Sequence, residues 1–245
     1  MMKLQHAFKW CDNLLAALDF FTRLPFRQLR RPPRSSYAAV VEWWPLTGWL
    51  TAAAMAATLW GCSMVFPYPV AVLTAVAARL LTTGAMHEKG LADFFDGLGR
   101  VGSVALVLYF GLLAATLLSL PHAVAPLAVI AADPFSKMVA SQLVLMMPPA
   151  HADGPRVGWR KPSVTAGISL TVQGLLPLAV FAYLTRGATD WSLLVFPACL
   201  TMYFLYRLVW NRLHGYTVAC CGAVCLLVEL AFYLALCAQL HGVQQ

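Results

Sequence analysis

Apolar stretches of about twenty residues, separated by short polar connections, repeat along most of the chain. A helix of about 20 apolar residues is long enough to cross the hydrocarbon core of a bilayer. The pattern therefore predicts an all-α fold, a polytopic integral membrane helical bundle of about seven spans. The predicted spans are 44–66, 68–86, 101–119, 122–147, 164–185, 191–210 and 217–240.

Residues 10–24 follow a different pattern, with apolar side chains on one helical face and acidic or polar ones elsewhere. Pro25 ends the predicted helix, because proline disrupts a helix interior. Such a helix is typical of a segment that lies on a membrane surface. We predict one membrane domain over residues 1–245, in which 1–43 form a cytoplasmic amphipathic and basic segment and 44–245 form the bundle. The apolar face consists of Leu14, Leu15, Leu18, Phe21 and Leu24.

The composition agrees with a membrane protein, and this changes how the positive net charge of the chain is interpreted. Of the 245 residues, 60% are hydrophobic and 11% are charged, whereas soluble domains carry about a quarter charged residues. The net charge of +7 does not indicate a nucleic-acid partner, and we expect none. Under the predicted alternation, 14 of the 17 Lys and Arg residues lie on the side of the N-terminus and one lies on the opposite side. This asymmetry predicts a cytoplasmic N-terminus in the inner (cytoplasmic) membrane, with loops 87–100, 148–163 and 207–216 on the cytoplasmic face.

Four arginines follow the N-terminal helix among prolines: Arg27, Arg30, Arg31 and Arg34. Two functions fit them. They can bind the anionic lipids of the cytoplasmic leaflet, or they can bind the phosphates of a substrate. The sequence leaves both functions open, and membrane lipid is in any case an expected partner of the spans.

Residues 87–99 hold three of the ten carboxylate residues, namely Glu88, Asp93 and Asp96. Asp93 and Asp96 are three residues apart, which places both carboxylates on one face of a helix. Carboxylates at the edge of a membrane suit Mg²⁺, which binds one or two of them and completes its shell with water and phosphate oxygens. The alternative is that these acids lie in a solvated loop and are balanced by neighbouring basic residues.

Four charged residues lie well inside the predicted spans, away from their ends. Asp133 and Lys137 are four residues apart, so they can form a structural ion pair, or Lys137 can contact a substrate. We expect Arg79 two turns before His87 on the same helix, where it either reaches the membrane surface or faces the acids. Glu229 has no local partner, which favours a functional or a helix-bridging role.

Residues 87–98, HEKGLADFFDGL, resemble the central signature H-x-D-G-L-A-D-x-x-D-G-L of the adenosylcobinamide-GDP ribazoletransferase (cobalamin synthase) family. Other segments resemble landmarks of that family in the same order, so the resemblance covers nearly the whole chain. They are ALDFFTRLP at 17–25, WPLTG at 44–48, RVGS at 100–103, and GYT at 215–217 followed by CGA at 221–223 and Glu229.

The resemblance implies a polytopic inner-membrane enzyme with Mg²⁺ as its cofactor. Its implied reaction transfers the phosphocobinamide moiety of adenosylcobinamide-GDP to α-ribazole or its 5′-phosphate. The implied products are adenosylcobalamin or its 5′-phosphate and GMP, which completes the nucleotide loop of vitamin B12. Self-association into a homo-oligomer is left open.

The residues and the resemblance together define the predicted site. The predicted catalytic residues are His87, Asp93 and Asp96, and the predicted metal ligands are Glu88, Asp93 and Asp96. The predicted substrate-binding residues are Arg23, Arg100, Lys137, Tyr216, Thr217 and Glu229.

The chain departs from the family pattern in three places. Lys89 and Ala219 each stand where the family has an aspartate, and the polar loop that the family carries between Gly99 and Arg100 is nearly absent. Each change removes negative charge, which predicts weaker cation binding. Two alternatives to an active transferase therefore stay open: a catalytically impaired paralogue that binds corrinoid, and a small membrane transporter. The position of the acids at the membrane edge favours an enzyme-like site over a transport pathway.

Overall fold

A computed structural model describes residues 2–150, 162–185 and 189–243, and these residues form helices and their connections. The part of the chain that it describes contains no strand longer than one isolated bridge, between Pro149 and Tyr216. A ten-residue 3₁₀ segment, Arg34–Trp43, precedes the bundle. The α-helices are α1 Met2–Phe21, α2 Phe26–Leu29, α3 Trp44–Ser63, α4 Tyr68–Thr83, α5 Met86–Gly99, α6 Gly102–Ser119, α7 Val124–Met146, α8 Val164–Leu184, α9 Trp191–Leu213 and α10 Val218–Val243.

Helices occupy all seven predicted apolar intervals, which confirms the all-α polytopic bundle. Five described helices (α6 to α10) are individually long and apolar enough to cross a membrane, and α4 with α5 forms a sixth, bent candidate. Length and composition thus support five or six spans rather than about seven. The predicted span that is not among these candidates is α3, whose 20 residues include tryptophan, threonine and proline side chains.

The prediction that residues 87–100 form a polar loop is wrong, because most of this segment forms the helix α5. Gly84 and Ala85 both adopt left-handed backbone angles, with φ of 65° and 55°, and the axes of α4 and α5 meet at 87°. Glycine reaches this region without steric cost, and the Arg23 side chain lies where a Cβ on Gly84 would be. The bend also corrects the expectation that Arg79 shares a helix with His87.

The connections gather at two ends of the bundle. At one end, Tyr216 exchanges backbone hydrogen bonds of 2.9 Å with Pro148 and Ala150, and Gly90 packs against the first turn of α10. At the other end, the backbone N–H of Asp190 donates to Gln239 near the end of α10 at 2.7 Å. Connections that were predicted on the same side of the membrane therefore lie at the same end of the bundle. Which end is cytoplasmic stays a prediction.

Two helices form the centre of the bundle. About three quarters of α7 and α10 is buried (78% and 72%), compared with 28% for each of α6, α8 and α9. The outer helices therefore present apolar side chains outward, as a lipid environment requires. An N-terminal helix is present as α1, but it ends at Phe21 rather than at residue 24, and it buries Ala16, Ala17 and Phe21. Of the predicted apolar face only Phe21 is buried, and Leu24 lies beyond the helix. The location of this helix on a membrane surface stays a prediction.

Candidate active site

The helix α5 has two faces of different chemistry. His87 and Glu88 are buried together with apolar residues of the same helix. Lys89, Asp93 and Asp96 are exposed. The helical repeat of 3.6 residues therefore separates Glu88 from the two aspartates with which it was predicted to bind a metal.

On the buried face, Arg79 joins four helices. Its Nη1 donates to Oε1 of Glu229 at 2.5 Å, and its Nη2 donates to the Tyr109 hydroxyl at 2.5 Å. Tyr233 also donates to Glu229, at 2.9 Å, and Glu88 lies 3.7 Å from the guanidinium. Ionised groups inside a membrane need such partners. Arg79 is therefore a bridge in the interior. Glu229 connects α10 to α4, which is one of the two roles predicted for it, and its substrate contact stays a prediction.

A second buried group surrounds Lys137 in α7. Lys137 forms the predicted ion pair with Asp133. Thr51 of α3 donates to Oδ2 of Asp133 at 2.5 Å and accepts a hydrogen bond from Lys137 at 3.2 Å. The geometry supports the structural ion pair, and the substrate contact of Lys137 stays a prediction.

The His87 ring is held by two aromatic rings. It stacks on Trp44 and Phe21, with centroid distances of 5.9 and 6.2 Å. The Trp44 indole N–H donates to Nε2 of His87 at 3.3 Å, so this imidazole nitrogen acts as an acceptor. Neither ring was predicted as part of the site, although Trp44 opens one of the landmark segments.

Next to this stack is a cavity of about 10 Å³, roughly the space of one water molecule. Its wall includes His87, Phe21 and the first turns of α10, where Cys221 and Gly222 lie. A cavity of this size does not accommodate a substrate in the described arrangement.

On the exposed face of α5, each aspartate already has a partner. Lys89 Nζ lies 2.9 and 2.7 Å from the two carboxylate oxygens of Asp93. Oδ1 of Asp96 accepts a hydrogen bond of 2.8 Å from the backbone N–H of Gly102, the first residue of α6. A carboxylate is favoured there because the first N–H groups of a helix lack backbone acceptors.

The aspartates fit Mg²⁺ in type and spacing, with Lys89 as a competitor. Magnesium commonly uses one or two carboxylates, and Asp93 and Asp96 share the exposed side of one helix. Within the described ranges, no three His, Cys, Asp or Glu side chains converge on a common metal position. Glu88 is buried beside Arg79, and its Oε2 has no hydrogen-bond partner among the described residues.

Arg23 and Arg100 lie at the two ends of α5. The Arg23 backbone N–H donates to Thr82 at 2.8 Å, and its exposed side chain lies over the bend at Gly84. Arg100 follows α5 in a left-handed conformation, with φ of 57° and an exposed side chain. Both side chains are exposed, and their predicted substrate contacts stay predictions.

Thr217 caps the helix α10. Its Oγ1 accepts from the Cys220 backbone N–H at 3.1 Å, and its own N–H donates to the Cys220 sulfur at 3.0 Å. This reciprocal pair is a capping box in which cysteine replaces the usual Glu or Gln. The neighbouring Tyr216 is buried in the connection to Pro148. The geometry thus gives Thr217 a structural role, and the substrate contacts of both residues stay predictions.

Ion pairs hold the N-terminal segment together. Arg27 pairs with Asp19 at 2.8 Å, and Arg30 pairs with Asp12 at 2.8 Å. The Tyr37 hydroxyl also donates to Asp19, at 2.6 Å. The hydrogen bond to Asp19 raises the pKa of Arg27, and partial burial followed by the bond to Asp19 raises the pKa of Tyr37. Two of the four arginines therefore fasten the segment to α1.

The chain is similar to known proteins over most of its length. A family model described as cobalamin-5-phosphate synthase matches residues 13–237. No solved structure matches the chain.

Three curated relatives carry the name adenosylcobinamide-GDP ribazoletransferase. The protein of Azorhizobium caulinodans is 32% identical, with 89% of this chain and 92% of the relative aligned. The Ralstonia nicotianae protein is 31% identical over 90% and 92%, and that of Leptospira interrogans is 26% identical over 96% and 97%. Because the family match extends from the middle of α1 almost to the end of α10, the chain belongs to the cobalamin-5-phosphate synthase family.

Proposed function

We propose that this protein is an adenosylcobinamide-GDP ribazoletransferase of the final assembly of cobalamin. It would transfer phosphocobinamide from adenosylcobinamide-GDP to α-ribazole or its 5′-phosphate and release GMP. The observation that carries the proposal is the family match over residues 13–237. The position of the acidic helix α5 against the first turn of α10 supports it, because two landmark segments meet there.

The reaction sets clear requirements for the site. An oxygen–phosphorus bond forms between a ribose hydroxyl of α-ribazole and the phosphorus that carries cobinamide. The bond from that phosphorus to the GMP oxygen breaks, GMP keeps the electron pair, and the hydroxyl loses its proton. Negative charge on the phosphoryl oxygens must be balanced throughout the transfer.

The described residues can meet these requirements at the exposed face of α5. Asp93 and Asp96 would hold Mg²⁺, which when bound neutralises charge on phosphoryl oxygens. Arg23 and Arg100 are exposed guanidinium groups beside the same helix, and such groups bind phosphate in a bidentate manner. His87 holds α5 against α3 through Trp44, and its catalytic role stays a prediction.

The protein is a multi-pass membrane protein, and we place it in the inner membrane with a cytoplasmic N-terminus. Arg31, Arg34 and Leu29 are exposed in the segment before the bundle. Exposed cations beside an apolar side chain suit the headgroup region of an anionic leaflet. We therefore assign membrane lipid, rather than substrate phosphate, to this segment.

The test is an assay of the purified full chain in liposomes with adenosylcobinamide-GDP, α-ribazole or its 5′-phosphate, and Mg²⁺. The expected products are adenosylcobalamin, or its 5′-phosphate, and GMP, separated by liquid chromatography. The Asp93→Asn/Asp96→Asn double variant is the control for background conversion. Corrinoid binding without product from folded protein would support the impaired paralogue instead, which the Lys89–Asp93 ion pair favours as the second candidate.

A further inference from the structure

Among the described residues, Lys89 is the one cation that forms an ion pair with an aspartate of α5. Its ammonium lies within hydrogen-bond distance of both oxygens of Asp93, at 2.9 and 2.7 Å. The two residues are four positions apart on α5, so the pair forms within one helix and needs no other element. Both side chains are accessible, with exposed fractions of 74% and 49%.

An ammonium and a divalent cation compete for such a carboxylate. Each is a compact cation that binds through carboxylate oxygens. In the described contacts, both oxygens of Asp93 are already directed at Lys89. A second cation on the same oxygens therefore meets charge repulsion until the ammonium moves away.

The lysine side chain is able to move away. It has four methylene groups and three donor hydrogens, and its exposed fraction of 74% leaves it free to rotate into solvent. Asp96 holds no side-chain cation that a divalent ion could replace, because the partner of its Oδ1 is the backbone N–H of Gly102. Asp93 is thus the carboxylate at which the exchange of cations takes place.

We propose that Lys89 is a resident cation of the site, which a divalent ion must displace from Asp93 before it binds there. The displaced ammonium remains on the exposed face of α5. There it becomes a donor for a phosphate oxygen of the ligand, and this last step alone rests on the proposed transferase function. The residue would thus lower the divalent affinity of the empty site and add a phosphate contact to the occupied one.

The test measures Mn²⁺ binding to the full chain in detergent by electron paramagnetic resonance, with no substrate present. Lys89→Met keeps the aliphatic stem and removes the charge, and we expect it to bind Mn²⁺ about fivefold more tightly, the upper range for an exposed ion pair. Lys89→Arg keeps the charge and should stay within twofold of the parent. Arg207→Met, which removes an exposed charge from α9, is the matched control and should also stay within twofold.

A second variant locates the ion. Lys89→Met/Asp93→Asn should lose the whole gain, because the carboxylate released by the first substitution is removed by the second. A gain that persists in this double variant would overturn the proposal, as would Mn²⁺ affinity of Lys89→Met within twofold of the parent. Since no substrate is used, a chain that gains Mn²⁺ affinity but makes no product contradicts only the transferase function.

The phosphate contact has its own measurement. Binding of GDP in the presence of saturating Mn²⁺ should weaken about fivefold in Lys89→Met and remain within twofold in Lys89→Arg. Unchanged GDP affinity in Lys89→Met would overturn this part of the proposal and leave the displacement at Asp93 intact.

Discussion

The guanidinium of Arg79 in α4 donates a hydrogen bond of 2.5 Å to Glu229 in α10, although the two residues are 150 positions apart in the chain. Both side chains are almost fully buried. The same guanidinium also bonds Tyr109 in α6 and lies 3.7 Å from Glu88 in α5. The candidate helix α5 therefore rests on an interior polar network that connects it to three other helices.

Removing one partner of this network is expected to destabilise the bundle. Glu229→Gln leaves the Arg79 charge without its closest carboxylate, and breaking a buried ion pair in this way costs about 3–5 kcal/mol. Thermal unfolding in detergent measures the change. Tyr233→Phe, which loses one hydrogen bond to Glu229, should lose only about 1 kcal/mol. Unaltered stability of Glu229→Gln would contradict the network.

The two aspartates of α5 should respond differently to the same substitution. Asp93→Asn and Asp96→Asn both keep the side-chain size and remove the charge, and both should lower Mg²⁺ affinity and turnover. Only Asp96→Asn weakens the contact with the N-terminus of α6, so it alone should lose up to about 1 kcal/mol of stability. Isothermal titration and thermal unfolding measure the two effects. If both variants turn over normally at limiting Mg²⁺, the metal assignment is wrong.

The predicted catalytic role of His87 can be separated from its packing. His87→Phe keeps an aromatic ring on α5 beside Trp44 and removes both imidazole nitrogens. Loss of a general acid or base lowers kcat by about 10²–10⁴-fold, and circular dichroism checks that the helices persist. Trp44→Phe is the comparison variant, because it leaves His87 in place and removes the indole donor together with part of a fully buried ring. It should lower stability by more than the roughly 1 kcal/mol of one hydrogen bond. Equal small losses of kcat in the two variants would assign His87 to packing alone.

The predicted topology can be tested by cysteine labelling in membrane vesicles. With the exposed Cys11 and Cys199 and the partly exposed Cys62 and Cys237 replaced by serine, cysteines introduced one at a time at Gly99 and Thr189 report the two ends of the bundle. A membrane-impermeant maleimide should label position 99 only from the cytoplasmic side and position 189 only from the other. The alternation of spans is incorrect if the reagent reaches both positions from the same side.

The sequence by itself determined the features that arise within a single helix. Apolar stretches located the helices because about 20 apolar residues cross a bilayer. The spacing of Asp133 and Lys137 indicated their ion pair, and the spacing of Asp93 and Asp96 their common exposed face, because residues three and four apart are neighbours on a helix. The family also followed from local segments, since its landmarks are short runs of consecutive residues.

Only the tertiary structure determined the contacts between residues of different helices. The sequence could not show that α4 and α5 meet at 87°, because Ala85 adopts a left-handed conformation that alanine disfavours in isolation. Packing likewise placed Arg79 of α4 beside Glu88 of α5. It also brought Trp44 to His87 across 43 positions. Such contacts depend on how helix faces fit together, and that fit has no fixed spacing along the chain.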